Sequence, residues 1–328
     1  MKVLTVGLIL TLALGVLTAP FAADAQQPAN VARIGFLGVA SASSYTSEVE
    51  ALRASLRDLG YVEGKNIVLE FGWAEGKHDR LTEVAAKLVR LKVDVIVTHA
   101  ITGAGAAKQA TTTIPIVIAD AGDPVAAGLV ASLARPGGNI TGSTSFQSEL
   151  NVKRLELLKE AMPRITQVAV LLNANNPANM RNVKDMEIAA KSMKVGLHQF
   201  AVRGPDEFDM AFATMARRGV AAIVIVEDPV LNADTVAIAI LAARQRFPSI
   251  GFRKFAEAGG LMAYGVNRLE LYRRAAYFVD RILKGAKPAD LPVEQATKFE
   301  LVINLKTARA LGLSIPRSVR IRADQVIE

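Results

Sequence analysis

The chain has 328 residues, with 39 Lys+Arg against 31 Asp+Glu and a formal net charge of +8. That length suggests about two domains, and 51% hydrophobic with 21% charged residues excludes intrinsic disorder. No cysteine is present, which excludes disulfides, thiolate nucleophiles and thiolate metal sites, and the histidines (His78, His99, His198) are too scattered for a metal cluster.

The N-terminus reads as an export signal. Lys2 precedes an apolar run over 3–19, and PFAADA (20–25) sets Ala23 and Ala25 in an A-x-A arrangement, so cleavage is expected after Ala25. A retained anchor is the alternative, but the run is short for a span that needs ~20 apolar residues. QQPAN (26–30) reads as a polar linker. Export and the dispersal of the basic residues argue against a nucleic-acid partner, despite the positive charge.

From residue 31 onward, strands and helices alternate. VARIGFL (31–37) is a β-rich run, followed by a helix with Val49, Leu52, Leu56 and Leu59 on one face and Gly60 as its stop. NIVLEFGW (66–73) is the next strand, and Leu81, Val84, Leu88 and Leu91 mark the next helix. VDVIVTHA (93–100) and IPIVIAD (114–120) are buried strands. Val152, Leu155 and Leu158 open the second half as a helix, followed by the strand TQVAVLLN (166–173) and an Asn-rich loop. A helix around 179–195, the strand VGLHQFAV (195–202), a helix around 206–218, the strand AAIVIVED (221–228) and a helix over 233–246 complete the series. Strand starts near 32, 67, 93 and 115 recur near 168, 197, 221 and 249, offsets of 128–136 residues. Two similar doubly wound α/β lobes are therefore expected. The remaining 261–328 segment is too short for a third domain and is expected to complete both lobes. Gly142 to Ser145 and Gly259 to Gly265 are candidate hinges.

No catalytic motif is evident: there is no G-x-S-x-G elbow, H-E-x-x-H helix or phosphate loop. GAGAAK (103–108) has part of a dinucleotide fingerprint but lacks the third glycine; a helix start after a strand accounts for it equally well. Asp120, Asp123, Glu227 and Asp228 sit at predicted strand ends, where ligands bind in open α/β sheets. Each aspartate could instead be a helix cap, Asp120 and Asp123 before GLVASLA (128–134) and Asp228 before Pro229. Loop hydroxyls and amides (Ser43, Tyr45, Thr98, Asn175 and Asn267 among them) without an activated nucleophile favour binding over catalysis. Trp73 fits core or rim packing, and Tyr45 could face a ligand or pack its own loop.

Several blocks carry a family resemblance: LGYVEGKNI (59–67), AAKQATTTIPIVI (106–118), GDPVAAGLVASLARPGGNITG (122–142), GGLMAYGVN (259–267), ILKGAKPADLPVEQATKFELVINLKTARALGLSIP (282–316) and IRADQVIE (321–328). Through them the chain resembles ABC-transporter substrate-binding proteins of the family that includes tryptophan- and aromatic-amino-acid-binding members. The resemblance implies a periplasmic-binding-protein fold of the first type, with two parallel-sheet lobes hinged by three crossovers. It implies lobe 1 over 31–143 plus about 266–290, and lobe 2 over 144–265 plus about 291–328. It also implies a periplasmic, monomeric, non-enzymatic subunit, without cofactor or metal, that delivers a small solute to an inner-membrane permease driven by a separate ATPase.

By position in that fold, Ser43, Tyr45, Thr98 and Asp123 would be contributed by the first lobe. Asn175, Asp228 and Asn267 would come from the second lobe or a crossover. For an α-amino acid, hydroxyls and backbone N–H groups would hold the carboxylate, and Asp228 or Asp123 would pair the ammonium. Ala296 stands where relatives often have Pro, in a loop. The competing readings are an extracytoplasmic sensor serving a separate receptor, and an exported hydrolase on the same scaffold.

Overall fold

The β-branched runs form strands buried in two sheets. The computed structural model describes residues 31–328; the expected signal segment (1–25) and linker (26–30) lie outside them. The first half supplies β1 (Ala32–Gly38), β2 (Ile67–Trp73), β3 (Val95–Thr98), β4 (Ile116–Ala121) and β5 (Ile140–Thr144). The second half supplies β6 (Gln167–Asn173), β7 (Gly196–Val202), β8 (Ala222–Ile225), β9 (Ser249–Gly251) and β10 (Met262–Val266), and the C-terminal part adds β11 (Glu294–Gln295), β12 (Phe299–Asn304) and β13 (Gln325–Ile327). The first sheet runs β11-β5-β4-β3-β1-β2 and the second β13-β12-β10-β9-β8-β6-β7. Every pairing is parallel except the antiparallel β10–β12 contact.

Alternate side chains along each strand bury against helices on opposite faces, the pattern of a doubly wound sheet. The α-helices of the described residues are α1 (Thr46–Asp58), α2 (His78–Arg90), α3 (Ala100–Ala110), α4 (Gln147–Ala161), α5 (Pro177–Ser192), α6 (Phe208–Arg217), α7 (Pro229–Ala233), α8 (Thr235–Arg244), α9 (Arg253–Glu257), α10 (Arg268–Leu283), α11 (Leu305–Leu311) and α12 (Arg317–Arg320). On one face of the first sheet, Ile34 and Phe36 join Leu52 and Leu56 of α1 and Tyr272 and Val279 of α10. On its other face, Ile96 and Ile118 join Leu81 and Leu88 of α2 and Ala107 of α3. In the second sheet, Val168 and Val170 join Leu158 of α4 and Met186 of α5, and Leu171 and Ile223 join Phe208 and Phe212 of α6. The chain crosses between the sheets after β5, at Asn267 before α10, and at 296–298 between β11 and β12.

Four local expectations are corrected. GLVASLA forms turns rather than a helix, because the turn capped by Asp123 ends at Gly128, whose φ of 66° breaks any helical continuation. Gly142 to Ser145 is mostly strand β5. Gly142, with φ 131°, lets β5 pass so close to β4 that a Cβ would collide with the Ile118 backbone. Gly259 to Gly265 likewise runs into strand β10. As to the boundary expected near 291, Glu294–Gln295 pair with β5 in the first sheet, so the third crossing falls after them. Among the described residues no helix is long and apolar enough to cross a membrane.

Candidate functional site

The C-terminal ends of strands from both sheets converge on one cleft. From the first lobe come Tyr45, His99 and Asp120 to Gly122; from the second come Asn176, Asn179, Glu227, Asp228 and Asn232. Arg268, the first residue of α10, lies at the second crossing and lines the same space. The lobes touch across it, and the cavity between them is about 50 Å³, enough for a few waters at ~10–15 Å³ each.

Local chemistry explains how each side chain arrives there. Thr98 ends β3 and donates to Leu37 O at 2.9 Å, fastening β3 to β1. Ala100 takes φ 59°, a left-handed turn that starts α3 directly after the strand. His99 precedes α3 without capping it, and its Nε2 accepts from Val39 N–H at 3.1 Å. Gly103 is packed so closely on Thr98 that a Cβ would lie 2.5 Å from its Oγ1. The glycines of GAGAAK thus include one required for strand–helix contact.

The His99 ring lies 4.1 Å from that of Tyr45, and Arg268 Cζ stands 5.1 Å over the Tyr45 ring. Burial holds His99 well below the ordinary imidazole range, and the Arg268 charge adds to the effect. Burial also pushes the Tyr45 phenol up to about 12, against the opposing pull of Arg268, so it stays a neutral donor. Trp73 sits behind this pair, 5.2 Å from Phe36, as core packing.

The carboxylates divide into committed and uncommitted groups. Asp228 accepts from Asn173 Nδ2 (2.8 Å), Asn176 Nδ2 (2.8 Å), Asn179 Nδ2 (3.3 Å) and Val230 N (2.9 Å), which uses its acceptor capacity and caps α7. Glu227 is paired with the fully buried Arg154 at 3.0 Å and with Arg268 at 3.4 Å. Arg154 also donates to Tyr264 O and Asn151 Oδ1. Asp120 accepts one bond, from Ser145 Oγ at 2.7 Å, and its Oδ2 lies 4.0 Å from Arg268. Burial raises Asp120 from the ordinary 3.8 to about 6, with Arg268 opposing.

Several buried polar atoms on the cavity wall have no hydrogen-bond partner: the Oη of Tyr45, the Oε1 of Gln147, the Oδ1 of Asn232 and the Nε of Arg268, the last only in longer ion pairs with Glu48 (3.8 Å) and Asp120 (4.0 Å). A buried polar atom left unpaired costs roughly 1–3 kcal/mol. Free donors and acceptors concentrated in one cavity mark where a polar ligand regains that loss.

Tyr45 and Asp228 line the cleft. Asn175 borders an adjoining seam between the lobes. Asn267 caps α10 and donates to Glu300 Oε1 at 2.8 Å, outside the main cavity. Ser43 is exposed and meets Ser41, Thr98 is spent on Leu37, and Asp123 caps an exposed turn through Val125 N and Ala126 N. The ammonium-pairing roles foreseen for Asp123 and Asp228 do not fit this geometry: one lies off the cleft and the other is saturated by amides. His99, Gln147, Asn232 and Arg268 were missed. The strand-end position of Asp120 and Glu227 was the available signal for those two.

The profile of the family "ABC transporter substrate binding protein" matches residues 33–327. The chain belongs to this family. A curated relative, a tyrosine-binding protein of Clostridioides difficile strain R20291, is 27% identical over 260 residues, covering 79% of this chain and 74% of the relative. This substrate-binding protein also resembles the crystal structure of an ABC domain from Streptococcus pneumonia in complex with L-Trp. The TM-score is 0.84 at 27% identity, over 90% of this chain and 99% of the other. The ligand-free, open structure of a substrate-binding protein with adhesive properties from Clostridium difficile shares the fold, with a TM-score of 0.66 at 24% identity, over 90% and 99% of the two chains. The fold is thus the two-lobed periplasmic-binding type 1 architecture, and the chain is the substrate-binding component of an ABC transporter.

Proposed function

We propose that this substrate-binding protein captures a zwitterionic α-amino acid with an aromatic side chain between its lobes. The observation that carries the reading is the set of unpaired groups in one cavity. Asp120, Gln147 Oε1 and Asn232 Oδ1 supply three acceptors, the number an ammonium needs. Arg268 and the Tyr45 hydroxyl supply donors for a carboxylate. The tyrosine-binding relative and the L-Trp-bound neighbour support an aromatic side chain.

In this reading the chain is exported with cleavage after Ala25. It works as a monomer and presents the closed, liganded form to a membrane permease coupled to a separate ATPase. Closure is a population shift: a ligand touching both lobes stabilises the state in which both sets of contacts exist.

The test is calorimetric titration of the purified protein, refolded to remove carried-over ligand, with L-tyrosine, L-tryptophan and L-phenylalanine. Each is compared with an analogue lacking the ammonium or the carboxylate. At least one amino acid should bind, and losing either charged group should weaken binding about 10-fold or more, since a hydrogen bond to a charged group contributes ~1.5–3 kcal/mol. Failure of every amino acid to bind, or equal binding of the truncated analogues, overturns the assignment.

A further inference from the structure

A second cavity, of about 360 Å³, lies where the chain passes between the lobes and shares no lining residue with the cleft. Its walls come from the end of β5, from the second crossing, from the outer side of α10 and from the third crossing at 296–298. Its size falls within the ~300–1,000 Å³ of small-molecule sites.

The wall chemistry is selective. Val266 and Leu271, 5% and 8% exposed, form an apolar base with Leu150, and Ala296 packs against it. Ser143 is 1% exposed and its Oγ has no hydrogen-bond partner. Such a hydroxyl can both donate and accept.

Charge on the wall is uneven. Arg274 grips Glu294 with two bonds of 2.7 and 2.6 Å and lies 3.6 Å over the Tyr277 ring. Arg273 pairs with Glu270 at 2.5 Å. Both carboxylates on the wall are therefore already paired with arginines, so neither presents an uncompensated negative charge to a ligand ammonium. With Lys298 at the exposed rim, three cations face two carboxylates, a surplus of one positive charge.

We propose that this cavity is a second ligand site, for a small organic carboxylate with an apolar body and no ammonium group. The body rests on Val266 and Leu271, the carboxylate faces Lys298 and Arg273, and Ser143 Oγ gains its missing partner. Its preference is the opposite of the one assigned to the cleft, where the free carboxylate of Asp120 calls for an ammonium.

The probe is 3-phenylpropionate, which has an aromatic body and a carboxylate but no ammonium. Ligand-observed NMR titrations on the full exported protein are run with and without saturating L-tyrosine. The expected result is binding that L-tyrosine does not displace and that Asp120→Asn leaves unchanged. Lys298→Glu should weaken it about 10-fold, and Ser143→Ala several-fold, both in proteins whose far-ultraviolet spectra and melting curves match wild type. Absence of binding at millimolar probe, displacement by L-tyrosine, or wild-type affinity in either variant overturns the proposal.

Discussion

Lys254 and Glu48 meet across the cleft, with 2.8 Å between Nζ and Oε1, and the same ammonium donates to Ser44 O at 2.9 Å. Lys254 belongs to α9 of the second lobe and Glu48 to α1 of the first, whose side chain is 1% exposed. These contacts exist only while the lobes are together. They therefore bias the open–closed equilibrium, and they border the proposed ligand groups, with Glu48 Oε1 3.8 Å from Arg268 Nε and Lys254 Nζ 5.9 Å over the Tyr45 ring.

Lys254→Ala should favour the open form and weaken ligand binding about five-fold, the effect of ~1 kcal/mol from a partly exposed pair. Small-angle scattering should show a larger radius of gyration for the ligand-free variant, converging on wild type at saturating ligand. An identical radius and affinity in the variant would rule out the latch.

The raised value of Asp120, about 6, gives a pH dependence with a definite sign. An ammonium pairs with the ionised form, so amino-acid affinity should fall as pH drops through about 6, approaching one decade per pH unit below it. The same shift acts oppositely on the ligand-free protein: stability contributed by this group declines as pH rises from 3.8 towards 6, because the folded state holds the proton longer. Asp120→Asn should weaken binding about 10-fold or more and flatten its pH profile. Titrations at pH 5, 6 and 7 test this, and a variant retaining the wild-type pH slope would place the ionisation elsewhere.

Asp228 should act mainly on stability. Its replacement by Ala strips the cap from α7 and leaves three buried amides without their acceptor, a loss of about 3 kcal/mol. Asn175, exposed on the same loop, should change stability by no more than about 0.5 kcal/mol on replacement by Ala. Urea unfolding of the two variants side by side distinguishes them.

Gly103 and Gly105 form a matched pair in α3. Gly103→Ala forces a methyl against Thr98 Oγ1 and should cost about 1–3 kcal/mol. Gly105 has open space around its Cα, so Gly105→Ala should stabilise by up to about 1 kcal/mol through helix propensity. Thermal melts of both variants check the difference in sign.

The fold was legible because buried parallel strands are written as apolar runs and their helices as one-sided stripes. Val168 and Leu171 lie in one continuous run yet serve opposite faces of the sheet, as that pattern implies. The site was legible only in part. Sequence places a residue near a strand end but does not say which neighbours from another segment consume its hydrogen bonds. Asp228 and Asp120 look alike as strand-end aspartates; three asparagines, Asn173, Asn176 and Asn179, fold back onto the first and a single serine onto the second. Arg268 was hidden for a related reason: it opens a helix of the first lobe directly after a strand of the second, and only that crossing carries its guanidinium into the cleft.

The docking of α10 on the first sheet has a consequence for the order in which the molecule can fold. Tyr272, Ala276 and Val279 belong to the same core as Ile34 and Phe36, and β11 closes the far edge of that sheet. A ribosome must therefore emit more than 290 residues before the lobe that begins at residue 32 has all its parts. By then β6 to β10 of the second sheet have been made, while β12 and β13 are still to come. Neither lobe is a contiguous stretch of polypeptide, so no terminal truncation isolates one of them whole. An unfinished chain exposes unpaired strand edges on both sheets at once, the feature that makes partly folded chains adhesive.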